Sequence, residues 1–152
     1  MTENERKATV WLRQKENYQF EVTTDFPEDW IALADEPPHL GQGNGASASR
    51  FLAAGIGQCL AASLLFCLEK SRVKLDGCIT AEVKLTTHRN ERGRWRIHHA
   101  DVKINTPPMD EAQQRAFQRC STLYEDFCVV TASVRQGFEV NVELVPQESE
   151  AA

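Results

Sequence analysis

Cysteine is the residue of this sequence with the most chemistry to offer. Five cysteines lie at positions 59, 67, 78, 120 and 128 of the 152 residues. An odd number of thiols cannot all close into the disulfide framework of a secreted protein, so reduced cysteines with a redox role fit better. No Cys-x-x-Cys pair occurs, and the four histidines stand at no zinc-ligand spacing, so the sequence predicts no structural zinc site.

Two of these cysteines could form a redox pair. Cys59 falls on the apolar stripe of a predicted helix, three residues after Ile56, which by itself favours a small core residue. Cys128 follows a second predicted helix, where a short irregular segment could carry a mobile thiol. A thiolate that attacks a peroxide needs a second thiol to capture the resulting sulfenic acid. One buried and one mobile thiol would suit that chemistry. The other cysteines are interpreted as packing residues of their own elements: Cys67, Cys78 and Cys120.

A central helix is the most strongly patterned element. From about Ser47 to Ser71 an apolar residue recurs every four positions, and Ser47 is suited to be the N-cap. The recurring residues are Leu52, Ile56, Leu60, Leu64 and Leu68. The other sides of this helix are poor in charge, so we expect neighbours to surround most of it.

Strand patterns lie on both sides of this helix. The predicted strands cover residues 8–14, 18–24, 30–33, 78–88, 95–106 and 137–145. A second helix is predicted from Asp110 to about Asp126. This order indicates an α+β fold with antiparallel strands and a long buried helix. We expect one domain over residues 1–152, with flexible tails at 1–7 and 146–152.

Composition and charge exclude several classes of partner. The 22 acidic residues outnumber the 17 Lys and Arg, and the net charge of -5 disfavours a nucleic-acid partner. Four arginines at the predicted hairpin tip, residues 89–96, are more typical of a solvated turn. The charged start, residues 1–7, is not a signal core, and glycines and polar residues interrupt the apolar stretch 51–68. We therefore expect a cytoplasmic protein that does not interact with membranes.

The residues around Cys59 and Cys128 resemble the family of osmotically inducible protein C (OsmC) and the organic hydroperoxide resistance proteins (Ohr). The first motif is Phe-Leu-Ala-Ala-Gly-Ile-Gly-Gln-Cys-Leu-Ala at 51–61, and the second is Phe-Cys-Val-Val-Thr-Ala-Ser-Val-Arg-Gln-Gly at 127–137. Asp-Glu-Pro at 35–37 and the following Leu-Gly agree with the same family. The resemblance extends from about Tyr18 to Leu144.

This resemblance implies a fold, an activity and partners. The family fold places antiparallel sheets around a long buried central helix in an intertwined homodimer. Cys59 matches the peroxidatic cysteine, which forms a sulfenic acid with an organic hydroperoxide, and Cys128 matches the resolving cysteine, which closes a disulfide. A dithiol reductant of lipoyl or similar type restores both thiols. The resemblance implies a thiol peroxidase-like role in oxidative stress defence, without metal or organic cofactor.

One departure from the family concerns how the thiolate is activated. Relatives carry a proline and a glutamate ten and nine residues before the first cysteine, and the glutamate holds an arginine that stabilises the thiolate. Here Ala48, Ser49 and Arg50 occupy that stretch. Helical geometry puts Ser49 about 80° from Cys59 and Arg50 near the opposite side, so Arg50 reaches the thiol only if the helix start is irregular. Arg13, on the predicted first strand, is the remaining candidate.

A second interpretation therefore stays open. Without a nearby cation, burial would raise the thiol pKa and leave Cys59 inert. The chain would then be a non-catalytic OsmC-like protein that binds a small hydrophobic ligand at the dimer interface. The missing glutamate favours this alternative, whereas the presence of both cysteines in their motifs favours the enzyme. The sequence also leaves open whether Cys120, eight residues before Cys128, could act as the resolving thiol.

Overall fold

Residues 4–147 are described in the computed structural model, where they form two antiparallel sheets and three α-helices. In chain order the elements are β1 (Val10–Glu16), β2 (Gln19–Thr24), β3 (Ile31–Ala34), α1 (Ala48–Lys70), β4 (Thr80–Arg89), β5 (Trp95–Asn105), α2 (Glu111–Ser121), a 3-10 turn (Tyr124–Phe127) and α3 (Val129–Gln136). The predicted α+β class is confirmed.

The first sheet has the order β1-β2-β3, and a long loop leads from it to α1. Asp35 fixes this loop, because its buried carboxylate accepts the backbone N–H groups of Glu36 at 2.8 Å and Asn44 at 3.0 Å. Gly45 lies so close to the backbone of Leu33 that a Cβ there would clash with the Leu33 carbonyl. The loop therefore has a defined path to the start of α1.

The central helix α1 begins after Ser47, as the pattern predicts, although the Ser47 side chain makes no capping hydrogen bond. Its buried stripe keeps the four-residue spacing of the sequence: Ile56, Leu60, Leu64 and Leu68. This stripe packs against the β4–β5 hairpin and against the helical segments after it. The opposite side is open in the single chain, where Leu65 is 46% and Phe66 42% exposed. The prediction that neighbours surround most of α1 is therefore not met within one chain.

The length and apolar composition of α1 would also fit a membrane span. Its buried stripe, however, belongs to both hydrophobic clusters of the described residues. The helix is therefore the core helix of this fold rather than a clear membrane segment.

The second half of the chain differs from the prediction between Ser121 and Gly137. Helix α2 begins at an Asp110–Gln113 capping box but ends at Ser121, not near Asp126. The chain then forms the 3-10 turn and a third helix, α3, where the sequence suggested an irregular segment. Gly137 follows α3 with φ of 72° and ψ of 164°, a backbone conformation that is essentially confined to glycine.

The predicted last strand, 137–145, is absent from the described residues, because nothing in the single chain offers it a hydrogen-bonded neighbour. Its alternating apolar side chains are all strongly exposed: Phe138, Val140, Val142 and Leu144. Of the two predicted tails, residues 4–7 and 146–147 are described without helix or strand, and the rest lies outside the described residues.

Candidate functional site

The structure brings Cys59 and Cys128 together. Cys59 lies three turns into α1, and Cys128 is the N-cap residue that directly precedes α3. Cys128 packs against Ile56 and Leu60 of α1, and the side chain of Cys59 contacts the same cluster. The two thiols are close enough for each to shift the pKa of the other. Two elements separated widely in the sequence therefore place one thiol against the other.

The burial of these two thiols is the reverse of the prediction. Cys128 is completely buried, whereas Cys59 is partly exposed. The sequence suggested a mobile Cys128 because it did not reveal α3, whose first residue follows directly. Of the two, Cys59 is the thiol that a solvent-borne reactant can approach.

Cys128 is the N-cap of α3 and uses its sulfur as the capping acceptor. Its Sγ accepts the backbone N–H of Thr131 at 3.4 Å, and the Thr131 hydroxyl lies 3.0 Å away. The buried hydroxyl of Ser63, on α1, also reaches this sulfur. Burial alone would raise the pKa of the Cys128 thiol, but hydrogen bonds from Cys59, Thr131 and Ser63 lower it below its ordinary value.

The environment of Cys59 has the opposite effect. Burial raises the pKa of the Cys59 thiol, and its hydrogen bond to Cys128 raises that pKa further. The backbone N–H groups of Val130 and Val129, in the first turn of α3, oppose this rise without cancelling it. The pKa of Cys59 is therefore raised and that of Cys128 lowered relative to an ordinary thiol.

The three residues offered as thiolate stabilisers form other contacts. Arg13 donates to Glu21 across the β1–β2 pair at 3.0 Å, on the exposed surface. Arg50 donates to the Ser47 hydroxyl at 3.0 Å, and Ser49 lies 3.2 Å from that same hydroxyl. Within residues 4–147, no arginine is among the groups that shift the pKa of Cys59. Their role at the thiol stays a prediction.

A second cysteine pair lies beside the first. Cys67 of α1 and Cys120 of α2 form a disulfide, with 5.7 Å between their Cα atoms. Both are buried, as the packing interpretation requires, but the bond itself was not predicted. A signal was available, since Cys67 follows Cys59 by eight residues and Cys120 precedes Cys128 by eight. With Cys120 in this bond, the free thiols are Cys59, Cys78 and Cys128.

A cavity of about 420 Å³ adjoins the thiol pair on the side of Ile56 and Leu60. Polar and ionisable residues of three elements line it: His98, His99, Tyr124, Glu125, Thr131 and Arg135. Arg135 donates to Glu125 at 2.6 Å, and the two His98 and His99 Nδ1 atoms are 3.0 Å apart. Burial raises the pKa of Tyr124, and the Glu125 carboxylate raises it further. Sequence reasoning missed this cavity, because its lining residues come from distant segments.

The thiol pair lies where the long core helix α1 meets the start of α3, and the antiparallel β4–β5 hairpin packs against the same core helix. This arrangement was compared with known protein families. The family model described as OsmC-like protein matches residues 41–143, well over half of the chain. The chain belongs to the OsmC-like family, as its motifs indicated. No significant sequence match was found among curated proteins.

Solved structures with the same fold come from several bacteria. An organic hydroperoxide resistance protein, OhrB of Bacillus subtilis, is 19% identical, with a TM-score of 0.60 over 84% of this chain and 90% of that one. An OsmC-like protein of unknown function from Vibrio cholerae is 12% identical, with a TM-score of 0.69 over 85% and 94%. A putative osmotic stress induced and detoxification response protein from Psychrobacter arcticus is 16% identical, with a TM-score of 0.66 over 86% and 90%. These likenesses show the fold.

Proposed function

We propose that this protein is a cysteine-based peroxidase that reduces organic hydroperoxides in oxidative stress defence. The observation that carries the proposal is that the Cys59 side chain packs against the buried cluster that contains Cys128. A peroxidatic thiol needs access to its substrate, and Cys59 is the partly exposed member of the pair. A resolving thiol must reach the sulfenic acid quickly, and Cys128 already touches Cys59.

The proposed reaction has three steps. The Cys59 thiolate attacks one oxygen of the hydroperoxide, so an S–O bond forms, the O–O bond breaks and an alcohol leaves. Cys128 then attacks the sulfur of the Cys59 sulfenic acid, so the disulfide forms and water leaves. A dithiol reductant of lipoyl or similar type returns both cysteines to thiols by exchange and becomes the oxidised partner.

Mass spectrometry after one equivalent of tert-butyl hydroperoxide tests this proposal. Trypsin cannot assign the product, because both candidate disulfides would join the same two peptides, 51–70 and 120–135. Chymotrypsin can, since leucine and phenylalanine lie between Cys59 and Cys67, and leucine, tyrosine and phenylalanine lie between Cys120 and Cys128. We expect a new Cys59–Cys128 link in wild type.

Two variants act as controls for this experiment. C59S should lose peroxide consumption, because it removes the attacking sulfur. C78S should retain it, because Cys78 is an exposed free thiol away from the pair. Peroxide consumption that survives in C59S, or thiols that stay reduced in wild type, would refute the peroxidase proposal.

We also propose that the protein is a homodimer, and that residues 138–144 pair with a partner chain. This segment has the alternation of a strand but no neighbour in the single chain, and an exposed apolar run of this kind normally marks an interface. Light scattering should give twice the chain mass for wild type. V142D should shift the protein to the monomer. N141D adds the same charge on the other face of the predicted strand and should remain dimeric. Equal masses for the two variants would contradict this pairing.

A second candidate function is the binding of a small hydrophobic ligand at the dimer interface by a non-catalytic protein. An open apolar cavity of about 570 Å³ between the first sheet and the start of α1 favours it. The residues that give it this character are Val10, Leu12, Tyr18, Phe20, Val22 and Phe51. Native mass spectrometry of the protein purified from cells discriminates the two functions. A retained lipid-like mass together with thiols inert to peroxide would favour ligand binding over catalysis.

We propose further that residues 1–152 act as one domain in the cytoplasm, without nucleic-acid or membrane partners. A cytoplasmic location would suit a cycle that depends on reduced thiols. Fractionation of cells that produce the full chain should recover it with the soluble cytoplasmic proteins, and recovery from the membrane fraction would contradict this location.

A further inference from the structure

We propose that Cys128 acts twice in the proposed reaction: before it resolves the sulfenic acid, its thiolate accepts the proton of Cys59 and so activates the attacking thiol. This inference rests on the proposed peroxidase function. It answers the question left by the missing family carboxylate, namely which group removes the proton from Cys59.

The position of Cys128 suits a buried thiolate. At the N-terminus of α3 the free N–H groups and the helix dipole favour negative charge. The Thr131 N–H points at Sγ, and the Thr131 hydroxyl, at 3.0 Å, donates to the sulfur once it is ionised. The Ser63 hydroxyl approaches from α1, although it also donates to the Cys59 carbonyl at 2.8 Å. The Thr131 N–H is thus a donor to this sulfur, and the Thr131 hydroxyl, which accepts the S–H of the neutral thiol, becomes a second donor on ionisation; neither carries a formal positive charge.

The position of Cys59 suits a proton donor. Its side chain packs against the cluster that contains Cys128, and each of the two thiols shifts the pKa of the other, so a proton has only a short path from one sulfur to the other. The first-turn N–H groups of Val129 and Val130 face Cys59 and stabilise the thiolate that forms once the proton has moved. Helix α3 thereby supplies N–H groups to both sulfurs, so it stabilises the negative charge on whichever sulfur carries it.

The proton and the electrons balance without another reactant. Cys128 takes the proton of Cys59; the Cys59 thiolate forms the S–O bond with the hydroperoxide, and the O–O bond breaks. The leaving alkoxide takes the proton from Cys128 and departs as the alcohol. Cys128 is then again a thiolate and attacks the Cys59 sulfenic acid, from which hydroxide leaves and takes a proton from the solvent. This proton replaces the one that Cys128 released when it first ionised. The two sulfurs are oxidised to the disulfide by one electron each, and the peroxide is reduced by two electrons to alcohol and water.

The decisive measurement is the rate at which the Cys59 thiol disappears with tert-butyl hydroperoxide, followed in single turnover by trapping with dimedone and mass spectrometry. In a C78S background, C128A should react about a hundredfold more slowly at neutral pH, as expected when a positioned base is removed. Its rate should then rise with pH as Cys59 ionises unaided. A C128A rate and pH profile equal to wild type would overturn this inference and leave the peroxidase proposal standing. Failure of wild-type Cys59 to react would overturn both.

A second pair of variants keeps both thiols and serves if C128A does not fold. T131V removes one donor to the Cys128 sulfur, so the rising limb of the rate–pH profile should move to higher pH. T131S keeps the hydroxyl and should restore the wild-type limb. An unmoved limb in T131V would overturn the proposed positioning role of Thr131 and with it the stabilised thiolate.

Other ionisable groups line the cavity beside Cys128 and must be separated from it in these profiles. They are Tyr124 and Glu125 on the 3-10 turn, Arg135 on α3, and His98 and His99 on β5. The profile should be repeated in Y124F and in H98Q/H99Q. If the rising limb of the rate–pH profile persists in Y124F and in H98Q/H99Q but shifts in T131V, the titration belongs to the thiol pair. If the limb is lost in H98Q/H99Q, the histidines carry out the proton transfer, and the proposed role of Cys128 is overturned.

Discussion

Reduction of the Cys67–Cys120 disulfide should lower the free energy of unfolding substantially. The bond joins residues 53 apart in the sequence, from the C-terminal half of α1 to the end of α2. A link that closes a loop of this length removes enough conformational entropy from the unfolded chain to stabilise the fold by about 4 kcal/mol. Because both sulfurs are buried among Leu64 and Leu68, the reduced thiols should still pack in place, so the loss comes chiefly from the unfolded chain.

Urea unfolding of the C59S/C128S variant measures this loss without interference from the other pair. With an unfolding slope of about 2 kcal/mol per M, the midpoint should fall by about 2 M when a reductant is present. C67A/C120A, in the same background, should have a low midpoint that does not change with the reductant.

A thiol count supplies the independent check. In unfolded, unreduced C59S/C128S, Cys78 should be the only reactive thiol, because Cys67 and Cys120 are bonded. A count of three thiols, or a midpoint that moves by less than about 0.5 M on reduction, would refute the reasoning.

Two further predictions concern α1 and the thiol pair. G57A should destabilise the protein by about 1–3 kcal/mol in thermal unfolding, because its Cβ would come within 2.8 Å of a β4 side chain. G55A, which has open space at its Cβ, should be neutral or stabilise the protein by up to about 1 kcal/mol. Equal effects of the two changes would contradict the close packing at Gly57. In a C78S background, thiolate absorbance should rise in two steps with pH, Cys128 below the ordinary thiol pKa and Cys59 above it. C128A should lose the lower step, and a lower step that survives in C128A would reverse the order of the two thiols.

The helix–strand framework could be predicted because its signals are local. The four-residue spacing of α1 and the alternation of β4 and β5 are the patterns expected when one face of an element is buried. All three elements lie within two residues of their predicted bounds. The strand predicted at 137–145 has the same alternation, yet alternation only requires one face to be covered. It does not say which chain covers it, so the single chain leaves Phe138 and Leu144 exposed.

Helix α3 could not be predicted, because its start depends on an unusual cap. Cysteine is not among the common N-cap residues, and the β-branched residues Val129, Val130 and Thr131 that follow it favour strands. The capping hydrogen bond forms because α1 holds Cys128 in a buried position where the sulfur faces the Thr131 N–H. The same tertiary contact brings Cys128 to Cys59, so overlooking α3 also reversed the burial assigned to the two thiols.

The donors around Cys128 also bear on why Arg13 and Arg50 can form other contacts. In the pattern that the resemblance implies, a glutamate holds an arginine at the thiolate. Here Ala48, Ser49 and Arg50 occupy the stretch of that glutamate, and within residues 4–147 no arginine shifts the pKa of Cys59. A buried charge can be stabilised by dipoles as well as by an ion of opposite sign, provided that enough donors converge on it. Backbone N–H groups of α3 and the hydroxyls of Thr131 and Ser63 are such donors, and none of them needs a carboxylate to hold it in place. Under the proposed mechanism, the missing glutamate would only have positioned an arginine, and the thiolate of this site does not require that arginine.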